Sequence, residues 1–216
     1  MVSKLLSAID AKFPLTEVDA GELKQIKAMG MTFSIRAFRS AGLGSVSVMT
    51  ATGFFGLMKM DTLIINPKEL DMPLLSYDRI HAMGHDTLIY ELYDTLVVKT
   101  DFPLLDEAKA HTVSLPDHKM KANWYDSIKL PQSFSKKGKK GVTPTFDKEA
   151  YRYILAYLDT AGTASPCDPV VKKEKADFYV EGLLTNGGPS TDVFKKSIGD
   201  EKTAEVFRKY LFGTEA

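Results

Sequence analysis

The alternation of apolar and polar positions predicts β-strands in the first half of the chain. Residues 32–38, Thr-Phe-Ser-Ile-Arg-Ala-Phe, alternate with a period of two, and residues 46–49 show the same period. Residues 54–65 and 87–93 are typical of two further strands. The segments between these stretches contain Gly, Asn, Pro and Asp and are too short for helical crossovers, so neighbouring strands are expected to pair antiparallel.

A helical period takes over at the N-terminus and in the second half. Apolar residues of the first 13 positions predict a short amphipathic helix, and residues 146–161 predict a longer one. Asp168 followed by Pro169 suits a helix start, with a stop at residues 186–189. A further helix is expected from Ser190 or Thr191, and residues 199–200 separate it from a last one. Residues 133–145 are predicted to be a loop. Strands followed by helices indicate an α+β fold, with helices on one or both faces of an antiparallel sheet.

Composition narrows the function. A chain of 216 residues predicts a single domain, residues 1–216, and equal numbers of basic and acidic residues, 28 each, argue against a nucleic-acid partner. The single cysteine, Cys167, excludes a multi-cysteine zinc or iron–sulfur site. No apolar run is long enough to span a membrane, and no signal-peptide pattern is present. We therefore expect a soluble monomer without a membrane partner, in the cytoplasm or, after processing in a eukaryote, in the plastid stroma.

Nucleotide and metal chemistry are disfavoured by the motifs. Residues 41–44, Ala-Gly-Leu-Gly, lead into a strand pattern and do not open a helix as a dinucleotide-binding turn does. His81 and His85 flank a Met-Gly turn with only Asp86 nearby, which is thin support for a metal site. These motifs give no support for a bound dinucleotide or metal, and an electron supply, if one is needed, would come from outside or from a bound organic cofactor.

One stretch in the first half and one near the C-terminal end share their spacing with a known family. Residues 66–78 contain a proline turn, Asp-Met-Pro at 71–73 and then Asp78, and the next strand lies between Gly84 and Asp94. Near the other end, Ala-Ser-Pro at 164–166 precedes Tyr179, Asn186, Gly-Asp-Glu at 199–201 and Leu-Phe at 211–212. In order and spacing these segments resemble the ferredoxin-dependent bilin reductases, whose fold is that of red chlorophyll catabolite reductase.

The resemblance implies a three-layer α/β/α sandwich with a central antiparallel sheet. An open-chain tetrapyrrole, such as biliverdin or a derivative, would bind between the sheet and the C-terminal helices. Reduced ferredoxin, or flavodoxin, would deliver electrons one at a time, and side chains and water would supply protons. The enzyme would carry no metal or flavin of its own.

Two acids in the strand region are the first catalytic candidates. Asp78 follows an apolar run, and burial beside the sheet would raise the pKa of its carboxyl towards neutrality, as a proton donor requires. The alternative is a solvated turn residue. Asp61 lies within an apolar strand. Counting back from residues 71–73, it occupies the position at which some family members carry a catalytic His. It would act as a second proton relay beside Asp78, or else face solvent.

The C-terminal segment departs from the family pattern. Many members have an Asp directly after the residue that corresponds to Asn186, whereas here residues 187–189, Gly-Gly-Pro, intervene. Asn186 stays a candidate for substrate binding, and Asp192 is the nearest acid that could replace the missing donor. The alternative for Asp192 is an acid favoured by the dipole at a helix N-terminus.

Cations are needed for the propionates of a bilin and for an acidic electron donor. Four candidates lie on or beside the predicted sheet and match carboxylates, namely Arg36, Arg39, Lys59 and Arg79. The lysines of residues 136–140, with Lys129, Lys172, Lys173 and Lys175, are candidates for a patch that steers ferredoxin. The alternative for residues 136–140 is a solvated, flexible loop.

Three functions remain open from the sequence. The first is a ferredoxin-dependent bilin reductase. The second is a non-catalytic tetrapyrrole carrier, because some of the family's polar groups are missing: residues 43–50 offer no His or Glu, and their polar positions include Ser45 and Ser47. The third is reduction of a chlorophyll-derived linear tetrapyrrole.

Overall fold

The computed structural model describes residues 1–188 and 190–215. Its helices are α1 Val2–Lys12, α2 Pro103–Ala110, α3 Thr143–Ala161, α4 Pro169–Asn186 and α5 Thr191–Glu205, the last continued by a π-helical segment over Val206–Leu211. Its strands are β1 Thr16–Val18, β2 Gln25–Ala28, β3 Met31–Ser40, β4 Gly44–Gly53, β5 Met58–Pro67, β6 Leu74–Ala82, β7 His85–Tyr93 and β8 Phe134–Lys139.

These strands form one antiparallel sheet in which β3 to β8 lie side by side in chain order. At one edge, β1 pairs with the C-terminal half of β3 and β2 with its N-terminal half. Short turns join most neighbours, which is why antiparallel pairing follows directly from the sequence.

Helices cover both faces of the sheet. One face packs against α1, α2 and α3, and its core includes Tyr77, Tyr90 and Phe146. The other face, named here the C-terminal face, packs against α4, α5 and the π-helical segment, with Tyr179 and Phe194 in its core. The three-layer α+β sandwich expected from the sequence is therefore confirmed.

Local signals explain the start of α4 and the break in α5. The Asp168 side chain caps α4 by accepting a hydrogen bond of 2.8 Å from the Val170 backbone N–H, as the Asp-Pro start predicts. Gly199 interrupts α5 with a φ of 81°, where the sequence suggested a break between two helices.

Three parts of the strand prediction are wrong. Residues 133–145 are not a loop, since they contain β8 and the start of α3. The strand expected from residue 54 begins at Met58, because Phe54–Gly56 form a 3-10 turn. Strands β1, β2 and β6 were not predicted. Two of the missed strands, β1 and β2, are short edge strands, and β8 is rich in lysine, so they lack the apolar alternation of a buried strand. That residues 1–216 form a single domain stays a prediction.

Candidate active site

Asp78 lies in the middle of β6 and points to the C-terminal face. Its strand neighbours in register are Thr62 on β5 and Ile89 on β7. The carboxyl is half-buried and accepts a hydrogen bond of 2.5 Å from the Thr62 hydroxyl. Burial raises the pKa of Asp78 to about 6, the Thr62 hydrogen bond opposes this, and the negative charge of Glu91 adds to it. Asp78 can therefore exchange a proton close to neutral pH.

Glu91 is a second carboxyl on the same face, which the sequence analysis did not single out. It is almost fully buried in β7, where it accepts a hydrogen bond of 2.5 Å from Tyr93 and forms an ion pair of 2.6 Å with Lys129. Lys129 also pairs with Asp126 at 2.7 Å. The signal was available, because Glu91 is the one charged residue in residues 87–93.

Aromatic rings form a wall beside these carboxyls. Tyr93 and Tyr179 stack with ring centroids 4.0 Å apart, and Tyr125 packs edge-on against both. The Trp124 indole donates a hydrogen bond of 3.0 Å to the Gly187 carbonyl. It also fills the space beside Gly182, where an added Cβ would lie only 2.0 Å from the ring. This wall joins α4 to the end of β7.

The sheet next to Asp78 stays partly uncovered. The end of the π-helical segment is fixed over β4 and β5, where Ser47 donates a hydrogen bond of 2.7 Å to the Leu211 carbonyl and Asn66 donates one of 2.8 Å to the Phe212 carbonyl. Met60 and Ile80, which share the face with Asp78, are only half-buried. The result is a partly exposed apolar surface with a carboxyl at its centre, which suits a flat conjugated ligand.

The cavities found in the described residues do not include Asp78 among their lining residues. Two of them, of about 590 Å³ and about 420 Å³, flank the start of α4. The candidate site is thus an open face of the sheet.

Among the residues described, no three His, Cys, Asp or Glu side chains are grouped to hold a metal ion. Within the same residues, no helix combines the length and apolar content needed to cross a bilayer.

Asp61 does not lie beside Asp78, which corrects the expectation of a carboxyl pair. In register it pairs with Thr50 and Arg79, on the face that packs against α3. Successive strand residues point to opposite faces, so an offset of one residue moves the side chain to the wrong side of the sheet. Thr62 occupies the place next to Asp78. Lys59 shares the face of Asp61 and is exposed at the start of β5.

The expected arginine ligands are also placed elsewhere. Arg79 is fully buried on the opposite face, 3.1 Å from Asp86 and 3.4 Å from Asp147. Arg36 is on that face too, with two hydrogen bonds of 2.8 Å to Glu17. Neither guanidinium can reach a ligand beside Asp78.

Arg39 shares the face of Asp78 but lies near the other end of the sheet. It is three strands and four residues away from Asp78, which corresponds to about 20 Å. There it lines the cavity of about 420 Å³ together with Lys68 and Lys173. The expected role of Arg39 as a ligand of a bilin propionate stays a prediction, and this distance separates it from Asp78.

The two C-terminal candidates are exposed. Asn186 is the last residue of α4, and Asp192 lies in the first turn of α5. An added Cβ at Gly187 would lie 3.3 Å from the Asp192 carboxylate, so this acid packs against the preceding loop. That placement matches an acid at a helix N-terminus. Pro189 lies outside the described residues, and a catalytic role of Asp192 stays a prediction.

The expected lysine patch is smaller than its sequence suggests. Lys136 is buried and pairs with Asp117 at 2.6 Å, and Lys129 is held by Glu91. Lys172 is buried and donates a hydrogen bond of 2.9 Å to the Thr95 carbonyl. Others stay exposed, among them Lys137, Lys139 and Lys140.

Lys137 is a cation on the C-terminal face that was not singled out as a substrate ligand. It pairs in register with Thr87, which in turn pairs with Ile80. From the strand spacing, its Cα atom lies about 12 Å from that of Asp78. The long side chain of a lysine can span much of this distance.

Among solved structures, the fold matches that of phytochromobilin synthase from tomato, crystallised in complex with biliverdin. The TM-score is 0.80 at 15% sequence identity, and the match covers 99% of this chain and 82% of that chain. No protein-family model matches the chain. No curated protein matches its sequence. The likeness confirms the bilin-reductase fold expected from the two sequence segments.

Proposed function

We propose that this chain, whose fold is that of a synthase crystallised with biliverdin, reduces an open-chain tetrapyrrole on the C-terminal face of its sheet. The observation that carries the proposal is Asp78, a half-buried carboxyl whose pKa is raised to about 6. It stands on a partly exposed apolar surface of the same fold. Reduced ferredoxin, or flavodoxin, is the proposed external source of electrons.

The surface offers a suitable contact for each part of a bilin. The conjugated rings pack on Met60 and Ile80, beside the wall of Tyr93 and Tyr179. Ionised Asp78 accepts hydrogen bonds from pyrrole N–H groups, which are donors. Lys137 is the proposed partner of a propionate, in place of the arginines suggested by the sequence.

The proposed reaction is balanced per double bond. Reduction of one carbon–carbon double bond takes up two electrons and two protons, and two molecules of reduced ferredoxin are oxidised. Electrons arrive singly, so a bilin radical forms between the two transfers. Protonated Asp78 donates one proton and recovers it from water, which reaches its half-exposed carboxyl. Water or a second side chain donates the other proton.

The alternative of a non-catalytic carrier gains from one observation. Asp61 lies on the opposite face and Asp192 is exposed, so neither supplies a second acid next to Asp78. A carrier would bind the tetrapyrrole and release it unchanged. A reductase of a chlorophyll-derived linear tetrapyrrole is the third alternative, which a substrate panel separates.

The test is an anaerobic mixture of the purified protein with biliverdin and a reduced-ferredoxin regenerating system. We expect the long-wavelength absorption to move to shorter wavelengths as conjugation is shortened, with a new product by chromatography. Asp78→Asn should retain bilin binding and reduce turnover about 100-fold or more, the usual contribution of a general acid. The matched control is Asp61→Asn, which changes a carboxyl on the opposite face and should keep near-normal turnover.

Two results would contradict parts of the proposal. Recovery of unchanged biliverdin from the wild-type protein under reducing conditions would favour the carrier. Full activity of Asp78→Asn would remove Asp78 from the reaction while leaving the reductase assignment in place.

A further inference from the structure

Three turns at one end of the sheet expose large apolar side chains. They connect β2 to β3, β4 to β5 and β6 to β7, and we name this end the apolar rim. Its apolar residues are Met29, Phe54, Phe55, Leu57 and Met83. The exposed fractions run from 55% at Phe54 to complete exposure at Phe55, so water surrounds these side chains. An apolar cluster of this kind usually marks an interaction surface.

The backbone of the rim is held in an uncommon conformation. Met29, Phe54, Phe55 and Met83 have φ values between 49° and 56°. Within residues 1–188 and 190–215, these are all of the non-glycine residues with positive φ. Glycine or asparagine normally occupies such positions, because a larger side chain is strained there. Strained residues that also expose apolar side chains point to a function at the rim.

Lysines stand directly behind the apolar tips. Lys27 and Lys59 lie in one row across the sheet, linked by the register of Thr32 and Thr52. At the far side of the sheet end, Lys139 pairs with His85, and Lys140 follows it. The four lysines are exposed, and none of them forms an ion pair within the described part of the chain. The rim therefore has an apolar outer layer and a positive layer about 7 Å behind it, two residues along each strand.

We propose that the apolar rim inserts into the headgroup region of an anionic membrane surface. Phenylalanine, leucine and methionine at the tips would enter the interface, while the lysines behind them would meet anionic headgroups. A fluid interface adapts to three protruding turns spaced about 10 Å apart, whereas a protein partner would need a separate pocket for each. A second copy of the same rim is disfavoured, because its lysines would face these lysines. Peripheral contact of this kind requires no membrane-spanning segment, so the proposal replaces the expectation, drawn from the lack of a long apolar run, that the chain has no membrane partner.

The test is co-sedimentation of the full chain with lipid vesicles. Wild-type protein is expected to bind vesicles of phosphatidylcholine with phosphatidylserine, to bind pure phosphatidylcholine much more weakly, and to dissociate at high salt. The double variant Phe54→Ser/Phe55→Ser should lose about tenfold or more in partitioning, since it removes the two aromatic rings that would be buried in the membrane interface. Lys139→Gln/Lys140→Gln should weaken binding to anionic vesicles only.

Matched controls change the same chemistry elsewhere on the surface. Val113→Ser is an exposed apolar residue outside the rim, and Lys148→Gln/Lys196→Gln removes two exposed helical lysines. Both controls should partition like the wild type. Met83→Ser gives a second rim variant if the double phenylalanine variant fails to fold by circular dichroism.

Three outcomes would overturn the proposal. The first is wild-type protein that stays unbound to anionic vesicles at low salt. The second is rim variants that bind these vesicles as strongly as the wild type. The third outcome is that rim variants bind vesicles normally but lose affinity for an acidic redox protein, which would make the rim a protein interface. Bilin binding does not enter this test, so its result is independent of the proposed function.

Discussion

Thr62 and Glu91 act on the Asp78 carboxyl in opposite directions, so removing each should move the pH profile of turnover in opposite directions. The Thr62 hydroxyl donates to the carboxylate and lowers the pKa of Asp78, whereas the charge of Glu91 raises it. The protonated carboxyl is the proposed proton donor. Turnover should therefore decline as the pH rises through a pKa of about 6.

The size of the Thr62 effect follows from its hydrogen bond. A hydrogen bond to a charged group contributes about 1.5 to 3 kcal/mol, and we take the lower end because Asp78 is only half-buried. At about 1.4 kcal/mol per pH unit, Thr62→Val should raise the pKa of Asp78 by about one pH unit. The variant should then stay active to higher pH than the wild type. Glu91→Gln removes the weakest of the three influences and should lower the pKa by a smaller amount.

The assay is the rate of bilin reduction in a single turnover with excess reduced donor, measured from acidic to alkaline pH. The carboxyl C=O stretch of protonated Asp78, followed by infrared difference spectroscopy without substrate, gives an independent pKa. Thr50→Val is the matched control, since Thr50 lies on the opposite face next to Asp61. A shift in the same direction for Thr62→Val and Glu91→Gln, or no shift for Thr62→Val, would refute the reasoning.

Three further predictions concern stability. Arg79→Ala should lower the free energy of unfolding by about 3 to 5 kcal/mol, because it leaves the buried Asp86 carboxylate without its guanidinium partner; urea denaturation measures this. Folding raises the pKa of Asp78 from 3.8 to about 6, so the contribution of this carboxyl to stability is lost as the pH rises through that range. Asp78→Asn should therefore stabilise the fold by about 2 to 3 kcal/mol above this pH range and have little effect below it. Urea denaturation on both sides of the range tests the sign. Gly182→Ala should destabilise the fold although alanine favours helices, because the new methyl group would clash with the Trp124 ring. The fluorescence of this single tryptophan should change, whereas an unchanged spectrum with higher stability would contradict the packing.

The elements predicted from the sequence are those whose residues carry a clear burial pattern or a capping residue. Strands β3, β4 and β7 are rich in apolar and β-branched residues because the sheet buries one or both of their faces, and α4 begins where Asp168 caps it. Strand β8 was missed because it lies at the sheet edge, where pairing depends on the backbone of β7 and its lysines carry no apolar pattern.

The candidate site was harder to predict than the fold. Asp78 was found because its spacing from residues 71–73 follows a known family, but that spacing does not fix the face of a neighbouring strand. Asp61 was predicted to lie beside Asp78, but the residue beside Asp78 is Thr62, because the pairing between strands sets which of the two neighbours faces Asp78. Arg79 was expected to bind a ligand, although only the packed structure shows Asp86 and Asp147 next to it.

The two edges of the sheet have a consequence for how the chain behaves at high concentration. At one edge the pairing is divided between β1 and β2, which are short, and at the other edge β8 carries Lys136, Lys137 and Lys139. Neither edge offers a long uncharged template for an incoming strand, so the wide sheet is protected from edge-to-edge polymerisation. The outer side of β8 is also partly occupied, because the Ser135 carbonyl accepts a hydrogen bond from the His118 N–H and the Lys137 N–H donates one to the Pro116 carbonyl. Pairing of another strand with this edge would therefore require the release of residues 116–118.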